Sequence, residues 1–145
     1  NITVEHATDG ERVCDILARE NVPVMLGPTL SDRSKPELKN LSFSTYKVLS
    51  DAGVPTAIIT DHPEISIENL ILCAAMAVKN GMDSEKALSG ITLTAAKNCG
   101  IDSRVGSIEV GKDADFCVFS EDIFSFNARN LMTFINGRLV FDINK

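Results

Sequence analysis

The stretch that decides the reading is Pro55 to Glu64, "PTAIITDHPE". An apolar run ends abruptly in Thr60, Asp61, His62 and Pro63. A plain turn after a strand needs only Asn-Gly or Asp-Gly. A carboxylate beside an imidazole at a strand exit is either a polar cap or a piece of an active site. The sequence around it bears on the choice.

Upstream, Ile2 to Glu5 reads as a short strand ending at His6. Asp9 is placed to cap a helix over Gly10 to Glu20, with Val13, Cys14, Ile16 and Leu17 on its apolar face. Val22 to Leu26 is a second strand, stopped by Gly27-Pro28, and the charged loop "TLSDRSKPELKN" follows. Ser44 is placed to cap a helix over Thr45 to Ala52, with Gly53 just past its end. Val54 to Thr60 is the third strand. Ser66 is placed to cap a helix over Ile67 to Asn80, closed by Gly81. Two short helices, Ser84 to Ser89 and Thr94 to Asn98, run up to Gly100.

Strand and helix thus alternate with a period of roughly thirty residues, the length of a βαβ unit. The strands are almost wholly apolar, as when both faces of a parallel sheet are covered. Right-handed crossovers place every strand C-terminus on one edge of the sheet. His6, Gly27 with its polar loop, and the Asp61-His62 pair all leave at that edge, where α/β folds bind ligands. Arg33 and Lys35 in the loop are candidates to hold a substrate carboxylate, or are solvated loop charges. After Gly100 the character changes to β. Asn136-Gly137 between "TFI" and "RLVF" predicts a hairpin with a type I′ turn. Lys112, Asp113 and Asp115 read as a turn network, and the Met and Phe residues as core.

The 145 residues are 44% hydrophobic, enough for a core, with a net charge of −6. That charge argues against a nucleic-acid partner. The longest apolar run, Leu70 to Val78, is too short to span a bilayer. Four scattered cysteines, Cys14, Cys73, Cys99 and Cys117, read as buried free thiols in a reducing compartment, the cytoplasm, rather than as disulfides or zinc ligands.

Taken together, "VEHATDGE", "ITDHP", "LTAAKNCGI", "VGSIEVGKDADFCVF" and "FINGRLVFD" resemble the C-terminal part of the metal-dependent amidohydrolase superfamily, in its imidazolonepropionase-like branch. The resemblance implies an α/β fold: residues 1–103 as the last three βα units of a (β/α)8 TIM barrel, and residues 104–145 as C-terminal strands of a composite β-sandwich. It implies a divalent metal, zinc above all, as one or two ions. His6 matches the His after the sixth barrel strand, and Asp61 matches the Asp after the eighth, as metal ligand and catalytic base. Arg33, Lys35 and His62 are the substrate-binding candidates, with His62 also open to a structural reading. The chain departs from the family pattern in having two histidines and no His-x-His pair.

The expected function is therefore a fragment of a hydrolase that uses metal-activated water on a non-peptide C–N bond of a small substrate, a cyclic amide or amidine fitting best. The alternative is a non-catalytic α/β module that keeps the family shape. Three barrel strands with open edges, and an inner face of Ile, Val and Leu side chains, predict pairing between copies of the chain.

Overall fold

A computed structural model describes residues 2–145. Three short parallel strands form the first sheet: β1 (Val4–His6), β2 (Val24–Leu26) and β3 (Thr56–Ile58), in the order β1-β2-β3. Val4 aligns with Val24 and Thr56, and His6 with Leu26 and Ile58, so all three strands end level. The crossovers run through α1 (Cys14–Arg19) and α2 (Ser44–Asp51). Three more helices follow β3: α3 (Leu70–Lys79), α4 (Ser84–Gly90) and α5 (Leu93–Asn98). A second, antiparallel sheet holds β4 (Phe116–Phe119), β5 (Asn130–Ile135) and β6 (Arg138–Asp142).

The core forms between the parallel strands and the helices. Val24, Leu26 and Ile58 pack with Leu17 of α1, Tyr46 and Leu49 of α2, and Cys73, Ala74 and Ala77 of α3. Each fully buried leucine here contributes roughly 1.5–3 kcal/mol. At the opposite end of the sheet from His6, the Asn98 amide donates to the carbonyls of Val24 (3.2 Å) and Pro55 (3.1 Å). One side chain from α5 thus staples β2 to the start of β3.

The elements fall where the periodicity puts them, but their ends differ. Gly10–Val13 and Ile67–Asn69 are tight 3-10 turns, so α1 and α3 begin several residues later than expected. The side chains of Asp9 and Ser66 accept no capping N–H, and Ser44 lies inside α2, with Phe43 at its cap position. Asp9 instead accepts from Asn40 (2.6 Å), and the Ser42 hydroxyl accepts the Ser44 N–H (3.1 Å). The capping side chain is Asp83, which takes the Lys86 N–H at the start of α4 (3.0 Å). Asn136 and Gly137 both have positive φ (49° and 71°), which is the type I′ hairpin expected. The turn network is also present: Arg104 pairs with Asp113 at 2.6 Å, Lys112 bonds Ser107 at 2.6 Å, and Asp115 accepts the Asn136 N–H at 2.7 Å.

Three expectations are corrected. Cys73 is buried, but Cys99 and Cys117 are exposed free thiols and Cys14 is half-buried. Cys117 sits on β4 of the second sheet. Phe126 is fully exposed rather than core. The parallel sheet does not present a bare apolar face: Val24, Leu26, Ala57 and Ile58 are all buried, because the helices cover them. Exposed apolar side chains on the second sheet include Ile135, Leu139, Val140 and Phe141.

Tyr46 joins core to sheet edge. It is fully buried, its hydroxyl donates to the Leu26 carbonyl (3.2 Å), and it accepts from the Thr29 hydroxyl (2.7 Å). Burial pushes its phenol above the ordinary value, against a smaller lowering by the Thr29 hydrogen bond. In the unfolded chain the phenol ionises near pH ~10. Its contribution is therefore complete below that pH and is lost as pH rises toward the higher native value. Tyr46→Phe is expected to cost about 1–3 kcal/mol at neutral pH by leaving the Thr29 hydroxyl without its partner and taking one of two donors from the Leu26 carbonyl. It should also flatten the alkaline limb of stability. Urea titrations on both sides of the phenol's ordinary pKa check this, and Tyr46 is the single tyrosine, so phenolate absorbance reports it alone.

Candidate active site

The level ends of the three parallel strands bring His6, Gly27 and Asp61 together. Each leaves its strand through unusual backbone. His6 (φ 63°) is the centre of a three-residue turn closed by Ala7 N–H to the Glu5 carbonyl (2.8 Å), and Ala7 follows at φ 45°. Asp61 lies at φ 54°, in a turn closed by Glu64 N–H to its carbonyl (2.8 Å). Non-glycine residues in this region cost on the order of 1–3 kcal/mol each and gather at functional sites. Gly27 (φ 144°) is required by space: a Cβ there would lie 2.2 Å from the Ile59 carbonyl oxygen.

His6 Nδ1 lies 2.9 Å from the Gly27 carbonyl. A carbonyl only accepts, so Nδ1 carries the proton, and the lone pair of the neutral ring is on Nε2. Asp61 Oδ2 lies 3.8 Å from the same Nδ1, an ion-pair distance rather than a hydrogen bond. Both side chains are about half exposed, at 51% and 44%. Beneath them Thr60 is buried.

The other candidates stand apart. Arg33 donates to the Leu41 carbonyl (2.7 Å) and so braces its own loop. Lys35 is exposed on that loop, just before a 3-10 turn at Pro36–Leu38. His62 is exposed beside Asp61, within electrostatic reach of Glu68. The Glu68 carboxyl is held below its ordinary range first by the Ser66 hydroxyl, and only last by His62. Among the described residues, Arg33, Lys35 and His62 form no hydrogen bond or ion pair with His6 or Asp61. The sequence reading missed three parts: the Gly27 carbonyl that orients His6, the Tyr46–Thr29 pair behind it, and the Asn40–Asp9 bond that ties the long loop to the turn after β1. Gly27-Pro28 was the available signal, read only as a strand stop.

A metal ion needs about three protein ligands and a defined second shell. A histidine that gives its other N–H to a backbone carbonyl is oriented for coordination, and His6 has that arrangement. Asp61 adds an accessible carboxylate. No cluster of three or more His, Cys, Asp or Glu able to hold a metal occurs among the described residues. His6 and Asp61 therefore fit as two members of a ligand set, not as a complete one.

The model of the amidohydrolase family matches residues 2–140. The chain belongs to the amidohydrolase family. It is 34% identical over 112 residues to an imidazolonepropionase of Thermoplasma volcanium, covering 72% of this chain and 28% of that protein. Its fold superimposes on an amidohydrolase from Thermotoga maritima with a TM-score of 0.93 and 38% identity, covering 98% of this chain and 37% of that one. A zinc-bound adenosine deaminase from Xanthomonas campestris shares the fold at a TM-score of 0.62 and 23% identity, covering 89% of this chain and 34% of that one. This amidohydrolase chain thus spans between 28% and 37% of the length of these relatives.

With two ligands, zinc is expected to bind the 145-residue chain weakly, and His6→Ala should abolish what binding there is. Calorimetric titration with zinc checks it; one tight, stoichiometric site per chain would contradict the two-ligand count.

Proposed function

We propose that residues 1–103 are the last three βα units of a (β/α)8 amidohydrolase barrel and that residues 104–145 are strands of an accompanying β-sandwich. In that reading the whole protein hydrolyses a non-peptide C–N bond in a small substrate. The similarity to imidazolonepropionases favours a cyclic amide or amidine. The observation that carries the proposal is the convergence of His6 and Asp61 at the C-terminal edge of the parallel sheet, in a chain of this family.

His6 through Nε2, and Asp61 through its carboxylate, would hold a divalent cation, and the zinc-bound neighbour of like fold points to zinc. When bound, the cation would activate water and polarise the scissile carbon–nitrogen group. Asp61 takes the proton released as water attacks and passes it to the departing nitrogen. Its exposure lets it reach solvent and substrate, and its turn fixes the carboxylate at the mouth of the sheet. The Gly27 carbonyl keeps His6 in one tautomer and one orientation. Lys35 and His62, both exposed at this edge, are the better placed of the candidate substrate contacts. Arg33 would first have to release the Leu41 carbonyl.

Two further points belong to this reading. The exposed apolar side chains of β5 and β6, Ile135, Leu139, Val140 and Phe141, are where copies of the isolated chain would associate. Four free thiols, two of them exposed, fit a reducing, cytoplasmic compartment.

In the whole enzyme, Asp61→Asn is expected to lower kcat by roughly 10²–10⁴-fold, because the amide cannot accept the proton. Substrate binding should change far less. Steady-state kinetics of the two proteins decide it: a variant within about tenfold of the parent would remove Asp61 from the base role.

A further inference from the structure

A second cleft lies at the other end of the parallel sheet, away from His6 and Asp61. Its volume is about 340 Å³, at the small end of the range for ligand pockets. Its floor is the start of β3 with the loop before it, Val54 to Thr56, and its walls come from Met82, α4 and α5. Two lysines line it, Lys86 and Lys97, together with the hydroxyls of Ser89 and Thr94 and the amide of Asn98. Among the described residues no Asp or Glu lines it, in a chain whose net charge is −6.

The donors and acceptors in the cleft do not balance. Lys86 gives one proton to the Ser50 carbonyl (3.0 Å) and keeps two. Lys97 has no hydrogen bond or ion pair among the described residues. Ser89 and Thr94 bond each other at 2.8 Å, so the accepting hydroxyl still has its own proton to give. The Thr56 hydroxyl is committed to the Val54 carbonyl (3.0 Å), and the Asn98 N–H groups to Val24 and Pro55, leaving its Oδ1 as one acceptor. The carboxylates of Asp51, within electrostatic reach of Lys86, and Glu109, within reach of Lys97, are already engaged. Asp51 pairs with Lys47, and Glu109 with Lys112 (3.4 Å) and Ser107 (2.5 Å). Unused donors on two cations, beside apolar Val54, Pro55 and Met82, suit a ligand with an anionic head and a short apolar body.

We propose that this cleft binds a small organic anion, of the short-chain carboxylate class, at a site separate from His6 and Asp61. The anion sits between Lys86 and Lys97 and takes the free hydroxyl proton of the Ser89–Thr94 pair. Binding draws together α4, α5 and the start of β3, the last two of which the Asn98 staple already joins.

The test is a titration of the 145-residue protein with butyrate at constant ionic strength, followed by amide shifts at Ser89, Thr94 and Asn98. Neutral butyramide and inorganic phosphate serve as comparison probes. Saturable shifts with butyrate, absent with butyramide, are expected, with phosphate binding more weakly for want of an apolar body. Lys97→Gln, which removes no structural contact, should weaken butyrate by about tenfold or more, the worth of a charged hydrogen bond. Lys79→Gln on α3 and Asp61→Asn should leave it unchanged, which separates this site from the proposed catalytic one. Equal binding of butyramide, tighter binding of phosphate, unchanged affinity in Lys97→Gln, or no saturable shift would each overturn the proposal.

Discussion

The end of β2 is the constraint on which the rest of the structure depends. At Gly27 the backbone passes so close to the Ile59 carbonyl that no side chain fits between them. The Leu26 carbonyl just before it accepts both the Ile59 N–H (3.0 Å) and the Tyr46 hydroxyl. The Gly27 carbonyl accepts His6. Two consecutive peptide groups therefore fix the neighbouring strand on each side and the helix behind. Move this junction, and the core loses the Tyr46 anchor while His6 loses the partner that sets its tautomer.

That dependence explains which parts of the protein were legible in the sequence. Parallel strands read out as apolar runs, and parallel strands joined by right-handed crossovers must end on one edge. From those two facts alone, His6 and Asp61 could be brought to the same edge before any coordinate was known. The Asn136-Gly137 hairpin was equally legible, because few other dipeptides accept two positive φ values. What stayed hidden was carried by backbone atoms and by side chains with several possible uses. A carbonyl such as that of Gly27 has no letter in the sequence. Ser and Asp serve in caps, turns and cross-loop bonds alike, so Asp9 read as a helix cap and in fact holds Asn40.

The cysteines show a different limit. Cys73 lies in a long apolar helix whose inward face is fixed by period, and it is buried as read. Cys117 lies in a four-residue strand, where alternation alone does not say which face meets a core. The Cys99 environment depends on how α5 meets the second sheet, a contact far away in sequence. Burial is legible where one element sets it and illegible where two elements must first be docked.

The Asn98 staple has a consequence of its own. It secures the sheet at the end where the strands begin, while His6, Asp61 and the long loop sit where they finish. A frame pinned at its foot leaves its crown free to be rewritten. Exchanges at the exposed Lys35 and His62 would leave the foot intact, so change at the crown does not have to be traded against the integrity of the sheet.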